Sequence, residues 1–342
     1  MDYTLILDKT ILIVIIFLIS LGVAAYATYG ERKIAAFLQD RIGPDRAGPF
    51  GLLQPIADGV KMFLKEEIIP NTSNKFLFIL APCIFMVTAL MSSAMIPWGK
   101  SFIINGREFS LQVANLNVGI LYIFAMVSIG GYGIMIGGWS SNNKFSLMGA
   151  LRSSSQMISY ELSLGMSLIA LLLMSNSLNI REIVDSQQGF HWNVFYQPLG
   201  FIIFLVCAFA ESGRAPFDLP ESESELIGGF HTEYSSMKLG LFLFGEYIHM
   251  FISSAIIASL YFGGYHFPGM EKLGLSQNME AALSVVVLFA KIFFFIFLFM
   301  WVRWTLPRFR YDQLMKLGWQ VLIPLSILNV LATGAWITFF GK

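Results

Sequence analysis

The 342-residue sequence predicts an all-α integral membrane protein, a single membrane domain of about eight transmembrane helices plus a short amphipathic interfacial helix after the first span. Three observations carry this. Hydrophobic residues make up 56% of the chain and charged residues 13%, with a mean hydropathy of +0.67, too few charges to keep a soluble surface hydrated. Apolar runs near the length of about 20 residues that about 30 Å of hydrocarbon requires recur at about 10–30, 76–96, 116–138, 156–175, 197–213, 238–262, 283–304 and 320–340. Open strands would leave backbone groups unpaired in lipid, which leaves helices as the spanning element.

The first run is expected to stay in the protein. Asp2 and Asp8 stand where a secretory leader carries basic residues, and the run is too long for one. A polar stretch, 31–75, follows. Gly43-Pro44 and Gly48-Pro49 make its first half irregular. Leu53, Ile56, Ala57, Val60, Phe63 and Leu64 then recur at helical spacing, with Gln54, Asp58, Lys61 and Lys65 on another face. This predicts an amphipathic helix with Pro55 near its first turn, either lying on lipid or walling a site.

The third run carries Gly130, Gly131, Gly133, Gly137 and Gly138, small residues that let helices approach closely. Ser153, Ser154 and Ser155 precede the fourth run as candidate caps. The fifth run is short and ends near Glu211. With the N-terminus outside, fifteen of the 22 lysines and arginines fall on the inner side and six on the outer. The positive-inside rule then puts both termini on the outer face and the stretches 31–75 and 211–237 on the inner.

Charge is concentrated where lipid should exclude it. Glu161, Glu211, Glu246 and Lys291 fall at or within apolar runs, where an ionisable group is expensive and points to function; a snorkelling lysine is the plain alternative for Lys291. Residues 211–234 add Asp218, Glu221, Glu223, Glu225 and Glu233 around one arginine, Arg214. The run reads either as a solvated acidic loop or as a site wall whose crowded carboxylates raise one another's pKa and exchange protons. Interleaved Phe217, Leu219, Leu226, Ile227 and Phe230 weigh toward the wall.

Other chemistries are excluded or unsupported. A formal net charge of zero argues against a nucleic-acid partner. Two cysteines, Cys83 and Cys207, are too few for an iron–sulfur ligand set. The four histidines are scattered, and neither a dinucleotide nor a phosphate-loop fingerprint occurs. No metal site is expected.

Taken together, Glu31-Arg32-Lys33, Arg41-x-Gly43-Pro44, the segment from Gly48-Pro49 through Gly51-Leu52-Leu53-Gln54-Pro55 to Ala57-Asp58, Ile158-Ser159-Tyr160-Glu161, residues 211–234, and Pro307-Arg308-Phe309-Arg310-Tyr311-Asp312 resemble the membrane heel subunit of respiratory complex I, the proton-pumping NADH:quinone oxidoreductase, across essentially the whole sequence. The resemblance implies a quinone chamber shared with peripheral-arm subunits. Glu31, Arg32, Arg41, Asp58, Lys61, Arg214, Asp218, Glu221, Glu223, Glu225 and Tyr234 would face that chamber, and Glu161, Glu211 and Glu246 would begin a proton relay. It further implies ubiquinone or menaquinone as substrate, no flavin or cluster in this chain, and no catalytic residue acting alone. The implied partners are the peripheral-arm quinone-site and terminal-cluster subunits, small neighbouring membrane subunits and lipid, in a bacterial inner membrane. One departure stands out: some relatives place a carboxylate on the third helix, whereas here no Asp or Glu occurs between Glu108 and Glu161, so water or Tyr132 would have to substitute. The alternatives are the anchor subunit of a related membrane-bound hydrogenase and an ion/proton antiporter.

Overall fold

The computed structural model describes residues 3–104, 106–219, 223–270 and 274–341. Its helices are α1 (Tyr3–Leu38), α2 (Gln54–Leu64), α3 (Lys75–Ser92), α4 (Gly119–Ser140), α5 (Lys144–Ser175), α6 (Ile180–Ser186), α7 (Asn193–Tyr196), α8 (Pro198–Glu211), α9 (Glu223–Leu226), α10 (Ser236–Tyr261), α11 (Gln277–Thr305), α12 (Tyr311–Lys316) and α13 (Ile323–Phe340). Strands β1 (Phe102–Ile104) and β2 (Arg107–Phe109) form one antiparallel hairpin between α3 and α4, with Phe102 opposite Phe109. The protein is all-α apart from that hairpin, as its composition predicts.

Among the described residues, seven helical stretches are long and apolar enough to cross a membrane: α1, α3, α4, α5, α10, α11 and Tyr311–Phe340, where a π-helical turn, Leu317–Leu322, joins α12 to α13. The shorter α8 has 14 residues, a rise of about 21 Å against about 30 Å of hydrocarbon. At least one of its ends therefore stops inside the apolar thickness. Helix α1 continues past residue 30, where the apolar run stops, so Glu31, Arg32 and Lys33 are helical rather than part of a loop. They are good helix formers, and the backbone turns aside only at Asp40, in the left-handed region at φ 51°, just before Gly43-Pro44.

Asparagine caps set several starts. Asn74 accepts from the Leu77 N–H at 3.4 Å, Asn143 from Phe145 at 2.9 Å and Asn179 from Arg181 at 3.0 Å. The serines before residue 156 lie inside α5 instead, and Ser154 and Ser155 donate to carbonyls one turn back. Glycines set the helix spacing: a Cβ at Gly133 would lie 3.0 Å from the Ala81 carbonyl oxygen of α3, and one at Gly138 would lie 2.3 Å from the Ala150 Cβ of α5.

Helix α10 is the hub. It packs on α1, α2, α3 and α11, and 61% of its apolar window is buried, more than in any other span. The segment after α8 is pinned onto this frame. The Gln156 amide donates to the carbonyls of Ala210 (2.7 Å) and Phe217 (2.8 Å), and the Phe309 N–H donates to Pro216 (3.1 Å). Its apolar members are buried: Phe217 and Leu219 join the main core, while Phe230 and Tyr234 join a second cluster with Phe78, Phe85 and Phe242.

Candidate functional site

The two polar stretches meet at one buried charge cluster. Glu31 on α1 is 6% exposed and Arg214, in the turn after α8, 5%. Arg214 Nη1 donates to Glu31 Oε2 at 3.5 Å, while its Nη2 lies 3.6 Å from Glu246 Oε2 on α10. Arg303 of α11 pairs with the other Glu31 oxygen, and the Tyr247 hydroxyl donates to Glu31 Oε2 at 2.8 Å. The Arg214 guanidinium also lies over the Tyr247 ring, 4.2 Å from its centroid. Two guanidiniums thus meet two carboxylates, so the cluster is near neutral as a unit. That balance is what makes burying it tolerable, because an unpaired charge there would cost several kcal/mol.

These groups line a cavity of about 250 Å³ between α1, α2, α10 and α11. Its polar wall holds Glu31, Arg32, Asp58, Lys61, Arg214, Glu246, Tyr247 and Arg303; Met62, Leu243, Phe244 and Trp304 line the rest. Helix α2 closes one side with its polar face. Arg32 Nη1 lies 2.7 Å from Asp58 Oδ2, and Lys61 Nζ donates to Asp58 Oδ1 at 3.3 Å. The opposite face of α2 exposes Ile56, Val60, Phe63 and Leu64, so the lipid-surface and site-wall readings of this helix are two faces of one element.

A second cavity of about 100 Å³ lies between α4 and α5 and is lined by Ser128, Tyr132, Met157, Glu161 and Glu211 among others. The Ser128 hydroxyl donates to Glu161 Oε1. Glu211 also lines a third, largely apolar cavity reaching Ile96, Ile120 and Ile180. The departure on the third helix thus has a local answer: Ser128 supplies the polar partner of Glu161, and Tyr132 lines the same cavity while being mostly exposed.

Other expected site residues lie elsewhere. Asp218 is buried and accepts from Arg308 Nη2 at 2.7 Å, beside the first cavity rather than on its wall. Glu225 pairs with Arg152 of α5 at 2.6 Å, and Arg41 is exposed. Tyr234 stacks on Phe78 with centroids 4.0 Å apart and donates to its carbonyl at 3.1 Å; burial pushes its phenol up to about 12, so it is held as a neutral packing residue. Glu221 and the side chain of Glu223 lie outside the described residues. Lys291 is occupied: its Nζ donates to the carbonyls of Phe262 (2.6 Å), Gly264 (2.7 Å) and His266 (2.7 Å), which replaces snorkelling with a structural anchor.

Sequence reasoning passes over Arg303 and Ser128. Arg303 reads as an ordinary inner-side charge at a helix end, and Ser128 as one more small residue in a glycine-rich span. Their spacing to Glu31 and Glu161 crosses most of the sequence in one case and a helix–helix contact in the other, which no local pattern encodes. Among the described residues no group of three or more His, Cys, Asp or Glu is arranged to hold a metal ion.

Comparison with known proteins agrees with this architecture. The sequence matches the NADH dehydrogenase family over residues 10–334. It is 64% identical over 334 residues to an NADH-quinone oxidoreductase subunit of Cytophaga hutchinsonii, covering 98% of each protein. It is 58% identical over 337 residues to the corresponding subunit of Flavobacterium johnsoniae, covering 98% of this protein and 96% of that one. A third relative, the same subunit from Flavobacterium psychrophilum, is 59% identical over 342 residues, covering 99% and 100%. Identity at this level over nearly the full length, with a family match across almost every helix, shows that the protein belongs to this one family of NADH-quinone oxidoreductase subunits, the membrane heel subunits of complex I.

Proposed function

We propose that this membrane subunit of complex I forms the membrane-side wall of a quinone chamber and couples quinone reduction to proton translocation. The observation that carries the reading is the first cavity, where the two polar stretches, remote in sequence, share one charge cluster around Glu31 and Arg214. Its mixed lining suits a ligand with a polar head and an apolar body. The protein supplies no redox centre in this reading; electrons arrive from NADH through partner subunits of the peripheral arm, and small membrane subunits and lipid cover the remaining faces. The substrate is a ubiquinone or menaquinone, the setting a bacterial inner membrane, and both termini face outward, with the eight spans and the inner-side stretches 31–75 and 211–237 as read from the sequence.

Taking a quinone to its quinol consumes two electrons and two protons. Charge developing beside the chamber shifts the balance of the Arg214–Glu31–Glu246 cluster, since a carboxylate facing a guanidinium responds to any new neighbouring charge. Glu246 belongs to the cluster, and Glu161 and Glu211 share the next cavity, so a protonation change at the chamber has acids to pass to.

The test uses the assembled enzyme in sealed vesicles. Glu246→Gln and Glu211→Gln, each expected to slow quinone reduction and proton uptake together, are compared with wild type for turnover and protons moved per electron. Wild-type stoichiometry in both variants would remove the relay.

A further inference from the structure

His249 lies three residues after Glu246 on the same face of α10 and takes no part in the charge cluster. It is 6% exposed, and among the described residues its Nε2 has no hydrogen-bond partner. Leaving such a nitrogen unpartnered costs about 1–3 kcal/mol, so an apolar side chain would fill this space more stably.

Its surroundings give it a position. Phe85 of α3 lies against the ring with centroids 4.9 Å apart. On the α4 side is Gly130, where a Cβ would stand 3.5 Å from His249 Nε2 and 3.1 Å from Thr88 Oγ1. Gly130 is two residues from Ser128 and adjacent to Gly131, and both of those line the cavity that holds Glu161. Glu246, on the other side, lines the cavity of Glu31 and Arg214. The imidazole therefore occupies the partition between the two cavities, with a glycine rather than a side chain facing its free nitrogen.

We propose that His249 carries protons between the Glu246 cavity and the Glu161 cavity, a role that rests on the coupling function proposed above. Neutral imidazole holds a donor and an acceptor at once. Protonated Glu246 gives its proton to the ring nitrogen on its own side, directly or through one water. The Nε2–H bond then breaks, and that proton passes toward the Glu161 carboxylate by way of the Ser128 hydroxyl. Glu246 is left as a carboxylate and Glu161 as a carboxylic acid, the ring is neutral with its proton on the other nitrogen, and no electron moves. A ring flip resets the tautomer.

His249→Gln keeps a hydrogen-bonding side chain but does not titrate, and His249→Phe fills the space apolarly beside Phe85. Both are compared with wild type and Glu161→Gln in the assembled enzyme in vesicles, counting enzyme by NADH oxidation with a hydrophilic acceptor. Proton uptake coupled to quinone reduction is expected to fall at least fivefold in both His249 variants. Wild-type uptake in His249→Gln alongside loss in Glu161→Gln overturns the histidine relay and leaves the coupling role standing; wild-type uptake in both overturns the coupling role and the relay with it. Should the His249 variants fail to assemble, Gly130→Ala, which sets a methyl against Nε2, decides: slowed uptake supports the relay and unchanged uptake overturns it.

Discussion

Glu31 shows how one residue can organise a buried polar site. Its two oxygens take Arg214, Arg303 and Tyr247 from three separate elements, and removing any one partner would leave a charge with too few neighbours, a loss of about 3–5 kcal/mol for a buried pair. Lys291 is the contrasting case. Each of its three short hydrogen bonds ends on a carbonyl of the turn between α10 and α11, and a charged donor contributes about 1.5–3 kcal/mol per bond. Lys291→Met should therefore lower the thermal midpoint of the purified enzyme, by at least about 2 kcal/mol of stability, with quinone reduction per assembled enzyme unchanged. An unchanged midpoint with lost turnover would return Lys291 to the relay candidates.

At the scale of elements, the glycine-rich span does packing work, as its composition suggests. The tight approach of α4 to α5 depends on Gly138, whose added Cβ would fall 2.6 Å from the Ser146 carbonyl oxygen, whereas Gly165 on α5 has nothing within 4 Å of a Cβ. Gly138→Ala is expected to cost about 1–3 kcal/mol by overpacking, and Gly165→Ala almost nothing. Thermal unfolding of the two variants side by side checks this, and equal midpoints would mean that α5 simply moves aside. Helix α2 was legible in full, from Pro55 in its first turn to its two faces, because a 3.6-residue period is a local property. The extent of α1 was less so: hydropathy marks where apolar residues stop, while the helix ends only where the backbone is forced to turn.

Over the whole molecule, ionic contacts tie distant segments at both ends of the bundle. At the end opposite the charge cluster, Asp185 of α6 accepts from Tyr265 and from His266, the latter at 3.2 Å, and faces Arg181. Burial alone would raise its pKa, but the hydrogen bonds from His266 and Tyr265, with the charges of His266 and Arg181, hold it below the usual carboxylate range. A depressed folded value contributes stability that is fully present above the unfolded pKa of about 4 and is lost as the pH falls through the folded one. Amide protection of residues 258–266 should accordingly be constant near neutrality and fall below about pH 4, and Asp185→Asn should lower it already at pH 7. Equal protection in wild type and variant at pH 7 would refute the clamp.

The sequence by itself determined the membrane class, the run of spanning helices, the amphipathic α2 and the family, because hydropathy, period and motif spacing are carried by residues close together along the backbone. It also marked Glu31, Arg214, Glu161, Glu211 and Glu246 as charges with no business in lipid. Only the tertiary structure decided which of them meet. Glu31, Arg214, Glu246 and Arg303 converge because α1, α10 and α11 pack side by side, while Tyr234 turns into an aromatic core and Lys291 into a turn of backbone carbonyls. Partner choice for a buried charge is fixed by helix packing across hundreds of residues, and that information resides in no single stretch of the sequence.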